Sequence, residues 1–455
     1  MAAALVDTAV AAPLSLHPAN PRYFLFRDKP AILITSAEHY GAVLNLDFDY
    51  VKYLDELAGH GLNHSRLFVG SYCEPQGAFK IEKNTLAPAA GRFIAPWTRS
   101  DQPGYANGGN KFDLTKFDDA YFKRLKDFIA QAGKRGIVIE VNLFCPFYED
   151  MQWKLSPQNA ANNVNNIGNV KRTDVYTLDK HGGLLDVHEQ MTRKIVAELR
   201  DADNIYYEVC NEPYFGGVTM AWQQRIVAVI GEAEEDFKDR HLIALNIANG
   251  SKKVDKPIAG VSIYNFHYTS PPKCVAENWH LNLPIGDNET GFKGTGDGHY
   301  RMEAWEFILA GGAIYSNLDY SFAVGHEDGT FKYPSTQPGG GNRGFRVQMK
   351  VLKDFMHGFD FVKMKPMNGA VKGGLPDKSR ATVLAEIGKQ YAIYIHGGAE
   401  AAPQLELPAG KYQVEWINVH SGKVEKSEMI EHAGGAATLP SPKYANGIAL
   451  RVLAK

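Results

Sequence analysis

The sequence has little of what marks several functional classes. Charge of one sign is missing: 49 basic residues face 51 acidic ones, a net charge of −2. A dedicated nucleic-acid binder would carry a basic face and a high pI, so that partner is not expected. No run of about 18 apolar residues occurs, so no spanning helix and no membrane partner are expected. Cysteine is scarce, at four in 455 residues. Cys73, Cys145, Cys210 and Cys274 are widely spaced and form no C-x-x-C, which argues against a zinc knuckle, a redox pair or a disulfide framework. Buried free thiols are the expectation. His188-Glu189 lacks the second histidine of H-E-x-x-H, and His60 and His64 straddle a glycine at a helix end. Pro338-Gly339-Gly340-Gly341 lacks the Lys-Ser/Thr of a phosphate loop. No metal and no other cofactor are therefore expected. The alanine-rich start has no Lys or Arg ahead of its apolar run, and Asp7 interrupts it, so it makes a poor signal peptide.

What is present is a repeated grammar. From Pro30 to Phe361, short β-branched apolar runs alternate with amphipathic stretches, the pattern of βα units on a parallel sheet. Strands are expected at 31–36, 62–70, 137–144, 204–213, 242–248, 261–268, 283–291 and 313–322. Helices are expected at 47–61, 117–136, 184–199, 221–235, 302–310 and 347–359. Eight strands in this order describe an α/β fold, a (β/α)8 TIM barrel, over residues 31–362. Two long strand-to-helix connections, 71–114 and 145–183, are expected to shape its carboxyl-end face. Residues 1–30 read as an extension with a hairpin around Arg27-Asp28, capping the bottom of the barrel. After Phe361 the period changes to short alternating strands, so residues 370–455 read as a small antiparallel β-sandwich. With Trp416 as its one large aromatic platform, it is expected to pack as a structural module. Trp305 and Trp416 are expected in the core.

Reactive groups of such a barrel sit where strands end. After the fourth strand stand Asn211, Glu212 and Pro213. After the seventh stands Glu289, with Asp287 as a rival. Two carboxylates facing one cavity are what glycosidic cleavage needs: one protonated to help the leaving oxygen depart, one ionised to attack the anomeric carbon. Glu212 then needs a raised pKa, to which a negative Glu289 would contribute.

Asn211-Glu212-Pro213 closing NIYYEVCNEP, with a glutamate closing a later strand, resembles the clan A retaining glycoside hydrolases. The resemblance covers the barrel, and the HPANPRYF opening, the NLDYSF stretch and the terminal sandwich resemble bacterial cellulase-like glycosyl hydrolases. It implies Glu212 as acid/base, Glu289 as nucleophile, Asn211 on the sugar 2-hydroxyl, and Arg66 at the end of strand two beside the nucleophile. It also implies a role near the nucleophile for His267 and Tyr268, although the common spacing is His-x-Tyr and Tyr264 is a rival. The tryptophan many relatives carry after strand eight is missing, since this chain has Asn317-Leu318-Asp319-Tyr320.

Further substrate-binding candidates are Glu38 and His39 at the first strand exit, Asn142 at the third, Asp319 after the eighth, and Trp153 and Trp279 as stacking platforms. For Glu38 a buried network with Arg66 is the alternative. The sequence-based conclusion is a retaining β-glycosidase acting on a β-glucan or related oligosaccharide, with a secreted or periplasmic location expected and a cytoplasmic one as the alternative. A non-catalytic carbohydrate-binding barrel and a barrel metallohydrolase are the competing classes. A transglycosylase would use the same carboxylates.

Overall fold

The computed structural model describes residues 12–455, so the alanine-rich start lies largely outside the described residues. Eight strands form one parallel sheet: β1 (Leu33–Ala37), β2 (His64–Phe68), β3 (Val138–Phe144), β4 (Ile205–Cys210), β5 (Ile243–Asn249), β6 (Ile263–His267), β7 (Ile285–Thr290) and β8 (Ile314–Leu318). They pair in the order β1-β8-β7-β6-β5-β4-β3-β2. The sheet closes at the β1/β2 seam through the Asn63 side chain, which donates to the Ile32 carbonyl and accepts from the Ile34 N–H, both at 2.9 Å. Farther up the seam, the Phe68 N–H donates to the Tyr40 carbonyl at 3.0 Å. The strands are buried on both faces, as a parallel barrel requires.

Helices run over Tyr50–Gly59, Asp119–Lys134, Leu184–Glu198, Met220–Ala233, Asp297–Leu309 and Arg343–His357. The Asp49 and Asp118 carboxylates cap the first two by accepting from backbone N–H groups of the opening turn. Among the described residues, no helix is long and apolar enough to cross a membrane. The two long connections hold more order than an irregular loop. The first carries a hairpin, Trp97–Pro103 with Asn110–Phe117, and the second a short helix, Asp150–Leu155. The hairpin was hard to read from sequence because few of its side chains, Trp97, Phe112 and Leu114 among them, are buried.

Phe24–Phe26 pairs with Lys29–Ala31 around Arg27 and Asp28, both left-handed at φ 49° and 61°. That is what a two-residue hairpin turn demands. Arg27 reaches Asp203 at 2.6 Å, ahead of β4, so the turn lies on the amino-end face.

Beyond the barrel, a six-stranded antiparallel sheet and a three-stranded one enclose a second core around Tyr391, Ile393, Val414, Trp416 and Leu450. The larger sheet is set against the barrel helices. Tyr394 stacks on Trp305 with centroids 5.3 Å apart, and Arg380 pairs with Glu306 at 2.6 Å. Trp416 is fully buried and offers no sugar platform.

Candidate active site

At the carboxyl ends of the strands lies a cavity of about 420 Å³. Its base is built by residues leaving the strands in strained conformations. Tyr40, Glu212 and Tyr268 have φ of 61°, 35° and 54°, and none is glycine. Such strain costs roughly 1–3 kcal/mol per residue and clusters where side chains must be aimed. Here all three side chains line the one cavity.

Glu289 reaches this point through an irregularity in β7. Between Phe266/Asp287 and His267/Glu289 the β6/β7 register shifts by one residue. Plain alternation would put Asp287 and Glu289 on one face. The extra residue instead lets Asn288 and Glu289 both reach the interior. Asp287 is left fully buried outside the cavity, accepting from Thr269 at 2.6 Å, with burial and nearby Glu303 pushing it well up.

Glu289 accepts from Tyr268 at 2.6 Å, Tyr40 at 3.1 Å and Arg66 at 3.2 Å. Glu212 accepts from Tyr148 at 2.7 Å and from Tyr214 at 3.1 Å. His267 stands between the two: its Nδ1 is 3.2 Å from Glu212 and 3.6 Å from Glu289. The donor atoms of Glu212, His267 and Glu289 all lie within 4.8 Å of one another. Among the described residues this is the one trio close enough to bind a metal cation. Arg66 and the tyrosine O–H groups already supply positive charge and donors there, which disfavours a second cation.

The raised pKa expected of Glu212 is not what the free protein holds. Burial raises Glu212, but His267, Tyr148 and Tyr214 donate to its carboxylate and bring it below its ordinary value. His267 moves the other way. Burial lowers it, and the charges of Glu289 and Glu212 more than offset that, leaving it raised. His267 stands one hydrogen bond from Glu212, with its own hold on a proton strengthened and that of Glu212 weakened.

Beneath the cavity lies a polar layer that the sequence reading missed. Arg66 is fully buried, giving Nε to Glu140 and Nη2 to Glu208, each at 2.6 Å, and Nη2 also to Asn211 at 3.0 Å. Its guanidinium lies 4.5 Å from the Tyr40 ring centroid. Burial and the neighbouring Glu140 push Glu208 up to about 8, against the pull of Arg66, while Glu140 is held below its usual value. Around Glu208 stand Asn142, Asn265 and Asn288, each with a side-chain oxygen that has no partner. One of these amides turned over would accept the Glu208 proton, since O and N of an amide are assigned from the hydrogen-bond network. Close packing is needed here: a Cβ on Gly286 would sit 2.3 Å from the Asn265 oxygen. A glutamate among apolar strand residues, Glu140 in VIEVNLF and Glu208 in IYYEVC, was the available signal for this layer.

The structure brings together Glu212, Glu289, Asn211, His39 and Tyr268 as cavity lining, with Arg66 and His267 directly behind. Tyr268 rather than His267 makes the short contact with Glu289. The Tyr264 hydroxyl accepts from the Ile258 N–H and takes no part. Five other candidates are corrected. Glu38 neither lines the cavity nor reaches Arg66: it caps the Gly41 and Ala42 N–H groups and accepts from Thr85, and burial pushes it up to about 7. Asn142 is buried against Glu208. Trp153 is a core residue whose indole donates to the Val170 carbonyl. Trp279 lies in the segment leading into β7, on the far face, with Arg22 stacked 4.1 Å from its ring. Asp319 is buried in an ion pair with Arg346 at 2.7 Å. The aromatic lining comes instead from Phe79, Tyr148, Phe215 and Phe292. Phe215 and Phe292 each stand three residues beyond a candidate glutamate, which was their signal.

The model of the cellulase family, glycosyl hydrolase family 5, matches residues 54–288, about half the chain, ending one residue before Glu289. None of the curated protein sequences matches. Among solved structures, a Bacteroides vulgatus protein proposed to be a glycoside hydrolase is 14% identical, with TM-score 0.68 over 98% of this chain and 83% of that one. A Bacteroides vulgatus glycoside hydrolase of family 5 is 14% identical, with TM-score 0.65 over 97% and 94%. An endo-1,4-β-mannanase from Rhizomucor miehei is 13% identical, with TM-score 0.52 over 76% and 100%. At these identities the likeness speaks for the fold alone, the barrel with its following β domain. The family match covers more than half of the sequence, and the chain belongs to glycosyl hydrolase family 5, the cellulase family of glycoside hydrolases.

Proposed function

We propose that this chain is a retaining β-glycoside hydrolase working by double displacement, with Glu289 as nucleophile and Glu212 as acid/base. The observation that carries this is the spacing of the two carboxylates, whose facing oxygens lie within 4.8 Å. Retaining enzymes hold their carboxyl groups at about 5–5.5 Å, whereas inverting ones leave about 6.5–9.5 Å for a water.

The two partner sets divide the labour. Arg66, Tyr40 and Tyr268 hold and orient Glu289 as the nucleophile. As Glu289 attacks the anomeric carbon, its charge is consumed in the glycosyl ester. His267 then loses one of the two anions that hold its proton. The proton passes through Glu212 to the departing glycosidic oxygen. In the second half, water attacks the anomeric carbon, the bond from that carbon to Glu289 breaks to restore the carboxylate, and the water's proton returns through Glu212 to His267. Atoms and charges balance over the cycle. Asn211, oriented by Arg66 and by its own bond to Tyr148 at 2.9 Å, faces the sugar 2-hydroxyl.

The substrate reading is a β-glucan or related oligosaccharide. A β-mannan belongs in the same trial because one fold neighbour acts on it. The test is hydrolysis of aryl β-glycosides and β-glycans by the wild type beside Glu289→Ala and Glu212→Ala. Loss of activity in Glu289→Ala, with azide restoring turnover to an inverted product, supports the reading. A Glu289→Ala variant that keeps most of the activity overturns it.

A further inference from the structure

Two exposed phenylalanines meet across the cavity mouth. Phe79 comes from the connection after β2 and Phe292 from the one after β7, and their ring centroids are 6.4 Å apart. Both have left-handed backbones, φ 54° and 56°, a conformation bulky side chains rarely adopt. Each ring also stands edge-on to a tyrosine that holds a catalytic carboxylate. Phe79 is 5.4 Å from Tyr148, the donor to Glu212, and Phe292 is 6.2 Å from Tyr268, the donor to Glu289. The four rings form a continuous arch above the two glutamates.

The two sides of this arch differ. On the Glu289 side the wall is Tyr40, His39, Glu74 and Leu86, each 9% exposed or less. Behind His39, the Tyr320 ring closes the wall at a centroid distance of 5.9 Å. His39 Nε2 is 3.5 Å from Glu74, and neither ring nitrogen has a hydrogen bond. Nε2 is engaged by Glu74, which leaves Nδ1 as the ring nitrogen without a partner. On the Glu212 side the flanking rings, Tyr214 and Phe215, are 37% and 43% exposed. One end is therefore closed, polar and buried, and the other is open and aromatic.

We infer that the Phe79–Phe292 arch makes this enzyme exo-acting, with a blind glycone pocket in which His39 and Glu74 bind the hydroxyls of a non-reducing terminal sugar. This rests on the retaining reading above, which puts the glycone against Glu289 and the leaving group beside Glu212. The size agrees: about 420 Å³ is near the lower end of the roughly 300–1,000 Å³ of small-ligand pockets. That suits one or two sugar units and not a polymer running through. Tyr214 and Phe215 then serve as the platform for the leaving saccharide.

The test uses cellohexaose and mannohexaose tagged at the reducing end, with aryl β-glycosides assayed in parallel. The variants are Phe79→Gly, Phe292→Gly and the pair. Glycine removes the ring and accepts the left-handed backbone, so the fold should be kept. Wild type is expected to give the tagged pentaose or tetraose first. The double variant is expected to raise the ratio of internal to terminal cleavage by about tenfold or more. His39→Ala should raise KM for the hexaose more than it lowers kcat. Wild type cutting mid-chain from the start, or an internal-to-terminal ratio unmoved by the double variant, overturns the arch while aryl glycosides are still cleaved. Failure of every aryl glycoside and both hexaoses would instead overturn the glycosidase reading on which the arch stands.

Discussion

Arg66 and Glu289 meet at 3.2 Å in a place where the arginine is wholly shut off from water. The same guanidinium binds Glu140 and Glu208, so one cation organises Glu289 and the layer beneath it. Breaking a buried ion pair from one side typically costs about 3–5 kcal/mol. Arg66→Met should therefore lower unfolding stability by about that much, measured by denaturant titration, and abolish activity. Arg66→Lys should recover little, because a single ammonium cannot replace the fork that reaches three carboxylates. Full stability in Arg66→Met would contradict this account.

Tyr268 gives Glu289 its shortest hydrogen bond, 2.6 Å. A hydrogen bond to a charged group contributes about 1.5–3 kcal/mol. Tyr268→Phe is expected to lower kcat/KM by about 10- to 100-fold with little change in thermal midpoint. An unchanged kcat/KM would remove Tyr268 from the catalytic arrangement.

Glu208 titrates at about 8 in the folded protein, against an ordinary value of 4.5. Its folded value is raised, so its contribution to stability is fully present below pH 4.5 and is lost as pH climbs through 8. Glu208→Gln keeps a neutral group in the same cage and does not titrate. Relative to wild type it should be more stable at pH 8 than at pH 5, read from unfolding midpoints. A difference between the two proteins that does not move with pH would show that Glu208 is ionised throughout.

The raised pKa of His267 gives a second pH signature. The histidine's stabilising contribution is present below its unfolded value of about 6.5 and fades as pH passes its folded value. If His267 stores the proton that Glu212 delivers, the alkaline limb of kcat/KM belongs to the histidine. His267→Gln should shift or flatten that limb. An identical alkaline limb in the variant would place the stored proton elsewhere.

Trp153 and Trp279 separate packing from binding. Trp153→Ala should cost about 3–5 kcal/mol of stability, the usual cost of emptying a large core site. Trp279→Ala should leave KM unchanged, since it lies on the far face. Phe215→Ala should raise KM while the fold holds. A raised KM in Trp279→Ala would contradict the placement of the substrate at the β-strand exits.

The barrel was legible because its strands are continuous apolar runs and its first two helices start at aspartates and stop near glycines. Glu212 was legible because NEP follows an unmistakable strand. The rest was hidden for specific reasons. The β7 irregularity that separates Asp287 from Glu289 leaves no mark in a period-two pattern. Trp153, Trp279 and Asp319 have the chemistry of ligand-binding residues, but their burial and facing are set by long-range packing. Tyr148 and Phe79 sit in long connections and Phe292 in the short one after β7, where position depends on tertiary contacts. Glu140 and Glu208 were readable as anomalies in apolar strands, though their joint hold on Arg66 was not.

Trapping of the glycosyl intermediate tests the central claim most directly. The wild type is incubated with a 2-deoxy-2-fluoro β-glycosyl fluoride of a sugar it cleaves, and the modified peptide is located by mass spectrometry. The account predicts a single ester on Glu289, with slow turnover to product of retained configuration. An ester on Glu212 or Asp287, or turnover to an inverted product with no ester, would contradict it.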